Sequence, residues 1–560
     1  MRGSQCPASV MVNCIRLNSV LRATCRALST SAGKKQRPLA AETADQHHVT
    51  RNFSDVQSVR HEQARHSLLI GCPARINESK FLKYLSQYGE VASHFFFDSN
   101  GTHAVVEFVD LQSVESLLSG TKIPNDDDLF VVPYKSRYIR VKTTEVGQQF
   151  PKCWPQSSIP VNNLLQKLCA AENIEDQAQM LLDELQLTEE SIRLRYLVSS
   201  LISDIATAYF PEATVHLYGS SVNSFGKMGC DLDLFLNLED IKGYKTGKTP
   251  SSYSAEFWMR RVSSGRTAQQ KILSVIGECI DSFGPGCNEV QKILNARCPL
   301  VRFSHQSSGL QCDLTADNKI ALRSSELLYI YGNLDHRVRA LVFALRCWAR
   351  VQGITSCIPG QWITNFSLTM MVLFFLQKRN PPVIPTLDHL KSLAGKKEKI
   401  IIDGNDCTFV GDINKIKQSA STDSLDTLLV EFLEFYGKFD FRTNCVDIRK
   451  GIEKNKPEAA ALYIQNPFEQ TLNISKNVNQ SQLQKFVNLA QESAFILQDQ
   501  ASRSSKNGKP WGLASILQTT SADKGATTKR KKKVSASERI GSLLDSLKDS
   551  DNTGKTEAEH

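Results

Sequence analysis

The chain has 560 residues, 41% of them hydrophobic, and a formal charge of +9. That length allows two to four domains with large cores, and no apolar run reaches the ~18–20 residues of a membrane helix, which argues against a spanning protein. Residues 1–37 carry +7 and residues 502–560 carry +5, which leaves −3 for 38–501. The body is therefore not a globally basic nucleic-acid binder, and any RNA contact must come from local patches. The 15 cysteines are scattered, with no Cys-x-x-Cys pair, which argues against a zinc site and a disulfide framework.

Residues 1–37 are rich in Arg, Ser and Ala, and the first acid is Glu42. Val12, Ile15 and Val20 with Arg16, Arg22 and Arg26 can form an amphipathic helix with a basic face. This composition is that of a mitochondrial transit peptide and implies delivery to the matrix. A basic RNA-binding arm is the competing reading, but such arms tolerate acids. Residues 38–64 are polar and read as a linker.

Residues 65–141 predict a small α/β unit. SLLIGC is a strand. NESKFLKYLSQYGEV places Phe81, Tyr84, Leu85 and Tyr88 at helical spacing. A hairpin turns at Ser99-Asn100-Gly101, and VESLLSG opens a second helix. The order βαββα resembles an RRM. The RRM's stacking positions, however, fall on Leu69, His103, Val105 and Phe108. A sheet without its rings loses much single-strand affinity, so protein–protein contact, including a homodimer through this module, is favoured over RNA contact.

FPKCWPQS is a Pro-interrupted connector. Residues 161–187 and 189–210 are strongly helical and lead into a short strand that ends at Gly219-Ser220. DLDLFL then alternates like a half-buried strand, with Asp231 and Asp233 on one face. Two like charges on neighbouring same-face positions repel unless a cation lies between them. The economical one is a hard ion with oxygen ligands, Mg²⁺ or Mn²⁺. By itself Asp-x-Asp is a common polar strand face. Two further features favour chemistry: the Gly-Ser turn, able to meet phosphate oxygens, and a third acid, Asp313, inside the apolar run Leu310–Leu314. That run and Leu300–Phe303 flank a Ser-Ser-Gly turn. Between the two acid sites lies IKGYKTGKTPSSYS, an insertion that reads equally as an RNA-touching or an idle loop.

Beyond Asp313 the chain turns helical. Arg337 to Arg350 has an apolar face of Val338, Leu341, Val342, Leu345 and Trp348, with Arg346 and Arg350 one turn apart. NFSLTMMVLFFL is a buried helix by composition. Residues 501–560 are Ser-, Lys-, Gly- and Thr-rich, include Lys529–Lys533 (KRKKK), and read as a disordered basic tail.

Gly-Ser, about ten residues, Asp-x-Asp and a lone Asp on a later strand resemble the DNA-polymerase-β-like nucleotidyltransferases, more narrowly the poly(A) and poly(U) polymerases among them. The resemblance continues through DHRVRALVFALRCWARVQGI, SLDTLLVEFLEFYGKFDF and IQNPFEQTLNISK. It implies an α/β multidomain fold: a palm over 160–325 and a helical, PAP-associated domain over 326–500, with helix 161–187 assigned to it as well. It implies two divalent metals on Asp231, Asp233 and Asp313, the last holding the one that activates the RNA 3′-hydroxyl. It also implies triphosphate contacts at Gly219, Ser220, Arg346 and Arg350, ribose and base contacts at Ser324, Ser325 and Asn365, stacking on Phe366, and Asn473 beside the base. Leu472 stands where several uridylyl relatives have His, which favours ATP. The expected function is template-independent adenylyl transfer to the 3′ ends of mitochondrial RNA. The rivals are a terminal uridylyltransferase and a non-catalytic RNA-binding scaffold.

Overall fold

The computed structural model describes residues 52–122, 135–143, 147, 152–157, 159–211, 213–237, 265–316, 318–356, 358, 360–500 and 510–518. The transit peptide, the 241–254 insertion and the KRKKK stretch lie outside these residues. Among the described residues no helix is long and apolar enough to cross a membrane.

The first layer begins with α1 (Phe53–Arg65), followed by β1 (Ser67–Cys72), α2 (Glu78–Leu85), β2 (Val91–Asp98), β3 (Thr102–Phe108), α3 (Leu111–Gly120) and β4 (Tyr138–Arg140). The strand order is β2-β3-β1-β4, with β1 antiparallel to β3 and parallel to β4. β1 reads SLLI without alternation because both its faces are covered. Leu68 and Ile70 pack with Phe81, Leu85 and Leu117 of the module's own helices. Leu69, with Phe97 and Val105, packs into the core of the next domain. Tyr88 lies beyond the end of α2, so the helical spacing drawn through it stops at Leu85.

The described part of the segment expected as a linker, from residue 52 on, is α1. Its polar residues are used in docking rather than left to solvent: Gln57 accepts from the Tyr196 hydroxyl at 2.8 Å, Arg60 pairs with Glu189, and Ala64 is buried. Low apolar content misleads here because a 13-residue helix can dock through hydrogen bonds and a few small contacts.

Helices α4 (Val161–Cys169), α5 (Ile174–Leu185) and α6 (Glu189–Tyr209) follow. The palm sheet is built from β5 (Thr214–Tyr218), β6 (Leu232–Asn237), β7 (Cys287–Ile293), β8 (Leu300–His305) and β9 (Leu310–Ala316), with α7 (Arg266–Phe283) before β7. Their order is β5-β6-β9-β8-β7. Only β6 and β9 are parallel, so their N-terminal ends lie at one edge. Leu197, Val198, Leu201 and Ile205 of α6 pack over Val215, Leu217, Leu234 and Leu314.

The helical domain contains α8 (Lys319–Leu334), α9 (His336–Val351), α10 (Asn365–Lys378), α11 (Leu387–Ser392), α12 (Leu425–Lys438), α13 (Gln480–Gln500) and α14 (Leu513–Ile516). α10 is apolar on all sides and buried from Ser367 to Gln377, the mark of a central helix. α4 and α5 precede the palm in sequence but contribute Leu164, Leu168 and Leu181 to this helical core. So does the start of the tail expected to be disordered: Leu513, Ala514, Ile516 and Leu517 are buried in it. The apolar cluster WGLASIL inside a polar tail was the overlooked signal.

Candidate active site

Gly219 ends β5 with φ +65°, the left-handed region that glycine enters without strain. A Cβ there would lie 2.3 Å from Asp233 Oδ2, so only glycine lets the turn pass over that carboxylate. Its N–H donates to Ser325 Oγ at 2.8 Å, which ties the turn to α8. β6 begins immediately after Asp231, and its parallel register with β9 sets Asp233 directly beside Asp313. The expected acid trio therefore comes together on the neighbouring interior strands β6 and β9, with Asp231 just before β6. Burial, then Asp313 and Asp231, push the Asp233 carboxyl up to about 7. Burial, then Asp313, raises that of Asp231. Like charges forced together in a half-buried site resist ionising together, and a cation would relieve them.

Two arginines not singled out from the sequence serve this cluster. Arg195 of α6, with no solvent exposure, donates to the carbonyls of Cys230 (2.7 Å) and Asp231 (3.1 Å) and to Ser221 Oγ (3.0 Å). It fixes the backbone that carries the first acid. Arg302 of β8 donates Nε to Asp313 Oδ1 (2.7 Å) and Nη2 to Oδ2 (2.6 Å), a two-pronged pair. Hairpin arithmetic could have found Arg302. A turn closed by His305 and Leu310 sets position 302 opposite 313. Nothing in the sequence marks Arg195, whose role depends on a helix packing under a loop.

All-oxygen donors of this charge suit Mg²⁺ or Mn²⁺. Asp231, Asp233 and Asp313 are the side chains to hold them. Among the described residues no three such side chains are gathered closely enough to hold a metal ion, and both oxygens of Asp313 face Arg302.

The other expected contacts divide. Ser220 Oγ donates to Cys230 Sγ at 3.3 Å, a weak partner, and is accessible to a better acceptor. Ser325 is buried and committed to Gly219 and Ala321, while Ser324 Oγ donates to the Ile320 carbonyl. Arg346 donates to the Phe225 carbonyl (2.7 Å) and to Thr369 Oγ1 (2.6 Å), and burial lowers its pKa to about 10. It joins α9, α10 and the turn after Gly219, whereas Arg350 one turn on is exposed. Asn365 is exposed at the start of α10, and Phe366 is half-buried against the helical core.

Asn473 departs from the expectation of a base contact. It is buried: Oδ1 accepts from Ile464 N (3.1 Å) and Ser475 N (2.9 Å), and Nδ2 donates to the Leu462 carbonyl. A carboxamide with its oxygen doubly used by its own loop is a scaffold residue. Its loop meets α10 through the 3.1 Å bond from Ser475 to Ser367. A cavity of about 530 Å³ on α10 and α12 shares no lining residue with the acid site.

A glycine turn over one acid of a pair, with a third acid abreast on a parallel strand, defines the palm of a nucleotidyltransferase, and that is the class of this enzyme. Family descriptions match in three places: a mitochondrial-like poly(A) RNA polymerase central palm domain over residues 174–333, an RL domain over 52–122, and a Cid1 family poly A polymerase over 424–472. The human mitochondrial poly(A) RNA polymerase is 55% identical over 89% of this chain and 86% of its own. The Drosophila melanogaster counterpart is 31% identical over 81% and 77%. Solved structures called mtPAP, apo and with ATPγS, are 56% identical and superpose with TM-scores of 0.80 and 0.79 over 83% of this chain and 99% of theirs. The Cid1 poly(U) polymerase, at 21% identity and a TM-score of 0.51 over 63% of this chain, shares the fold. The chain belongs to the mitochondrial poly(A) RNA polymerase family.

Proposed function

We propose that the chain adds adenylates from ATP to the 3′ ends of mitochondrial RNA, without a template, in the matrix. The observation that carries the chemistry is the adjacency of Asp233 and Asp313 under the Gly219 turn. Asp231, Asp233 and Asp313 hold the divalent cations. When bound, these activate the 3′-hydroxyl and neutralise charge on the α-phosphate and departing pyrophosphate. The chain's own part is placement. Arg195 fixes the carbonyls of Cys230 and Asp231, on either side of the first acid. Ser220 exchanges its thiol partner for a phosphate oxygen. Arg346, whose partners here are a carbonyl and a hydroxyl, supports the triphosphate side, with Arg350 beyond it. Asn365 and Phe366 border the nucleotide.

Residues 1–37 act as the transit peptide. The βαββα module resembles an RRM in element order, but Leu69 and Val105 at its stacking positions belong to the palm core, and Phe108 to the module's own core. Homodimerisation through this module therefore falls to surfaces other than this sheet face.

Replacing Asp231, Asp233 or Asp313 singly with Ala should abolish nucleotide addition to an RNA primer while the melting temperature stays close to wild type. An Ala variant that folds and keeps more than about a tenth of the wild-type rate would contradict the assigned role.

A further inference from the structure

Arg302 is attached to the acid cluster at one point only. Its fork takes both oxygens of Asp313, and its side chain is 39% exposed, the open side of the pair among the described residues. Asp313 is the better buried partner, with its side chain 14% exposed. The same two oxygens are those the cation must take. An ion held between Asp233 and Asp313 also finds a positive charge already present, close enough to be felt by all three acids. Arginine and a dication on one carboxylate repel each other and draw on the same two oxygens, so an ion closing on Asp313 works against the fork.

We propose that Arg302 is a resident counter-ion of the acid site: its guanidinium occupies Asp313 until a divalent cation binds, and binding exchanges one for the other. Arg302 positions Asp313 and tunes cation affinity without touching substrate. Exposed on β8, it can swing to solvent with no backbone movement. The purpose is electrostatic. Without Arg302, three clustered acids would have only Arg195 as a neighbouring positive charge during folding and between turnovers. The inference rests on Asp313 being a cation ligand, as proposed above.

The test is Mn²⁺ binding to the full chain without nucleotide, followed by the paramagnetic resonance of free Mn²⁺, for wild type, Arg302→Met, Arg302→Lys and Asp313→Asn. Exchange predicts that both Arg302 variants bind Mn²⁺ about three- to tenfold more tightly, the range set by one partly exposed charge-assisted pair. Lysine keeps the charge but cannot occupy both oxygens. Tightening in the Met variant alone would mean plain charge repulsion and overturn the exchange, as would unchanged or weaker binding in both. Asp313→Asn should bind more weakly. If it does not, Asp313 is not a ligand and the underlying reading fails separately. Should the Arg302 variants not fold, a structure of the wild type with Mn²⁺ decides: the fork must be broken, and a fork intact at 2.6–2.7 Å beside a bound ion overturns the proposal.

Discussion

At the residue scale, the site depends on side chains whose partners are backbone atoms. Arg195 reads only carbonyls and neutral side-chain oxygens, and Asn473 reads only its own loop. Neither reacts, yet each fixes a segment that does. Base choice belongs to this scale too. Leu472 is half-buried, with its N–H on the Glu469 carbonyl and its carbonyl accepting from Asn466, so the backbone is pinned and the side chain alone is free to vary. A histidine there would crowd a purine and offer a donor to a pyrimidine carbonyl. Leu472→His should shift preference from ATP toward UTP by about 1–3 kcal/mol, the order of one hydrogen bond. The measurement is the ratio of kcat/KM for the two nucleotides on one primer. An unchanged ratio with retained activity would remove Leu472 from the base pocket.

At the element scale, the C-terminal segment separates pattern from context. Trp511 Nε1 donates to the Cys169 carbonyl, Gln177 bridges Trp511 and Leu513, and Gln352 donates to the Ile516 carbonyl. A four-residue helix has no stability of its own, so these contacts and the burial of Leu513, Ile516 and Leu517 hold it. Truncation after Gln518 should leave the melting temperature unchanged. Truncation before Pro510 should cost several kcal/mol, at about 1.5–3 kcal/mol per fully buried aliphatic side chain. Equal stability of the two truncations would show that the segment does not hold α4 and α5. Amphipathic spacing identified α6 and α9, and composition identified the apolar α10. It could not identify α1 or this segment, whose stability is tertiary.

At the scale of the whole molecule, the small α/β module is part of the palm's wall. Arg137 donates to both oxygens of Asp204 (2.9 and 3.1 Å), and Arg193 reaches Glu107 and Ser93. Beside them lies a chain of rings and hydroxyls. His103 of the module shares the Tyr138 hydroxyl, which accepts from Ser307 at 2.6 Å. His305 of the palm bonds Ser308 through Nδ1, and its Nε2 has no hydrogen-bond partner among the described residues. Burial, then His103, lowers the His305 pKa from 6.5 to about 4. The unfolded chain therefore takes up this proton first. The stability His305 contributes is complete above about pH 6.5 and is lost as pH falls toward 4, with a slope approaching 1.4 kcal/mol per pH unit. Melting temperatures across this range should fall less steeply for His305→Asn than for wild type. Parallel acid limbs would place the loss elsewhere.

The acids were legible because their chemistry is local: strand alternation puts Asp231 and Asp233 on one face, and an acid in an apolar run must have a partner. The glycine turn, the hairpin at Ser99–Gly101 and the buried α10 were legible for the same reason, since backbone sterics and apolar period act over a few residues. What only the tertiary structure decided was how distant segments share space. Strand register set Asp313 beside Asp233 and Arg302 across from Asp313. Docking on the palm turned a sheet face expected to be open to a partner into core, and the described end of a would-be linker into helix. Asn473 turned inward because its loop needed its hydrogen bonds more than solvent did. Each of these outcomes is set by packing between elements far apart in the chain, and no window of sequence contains both partners.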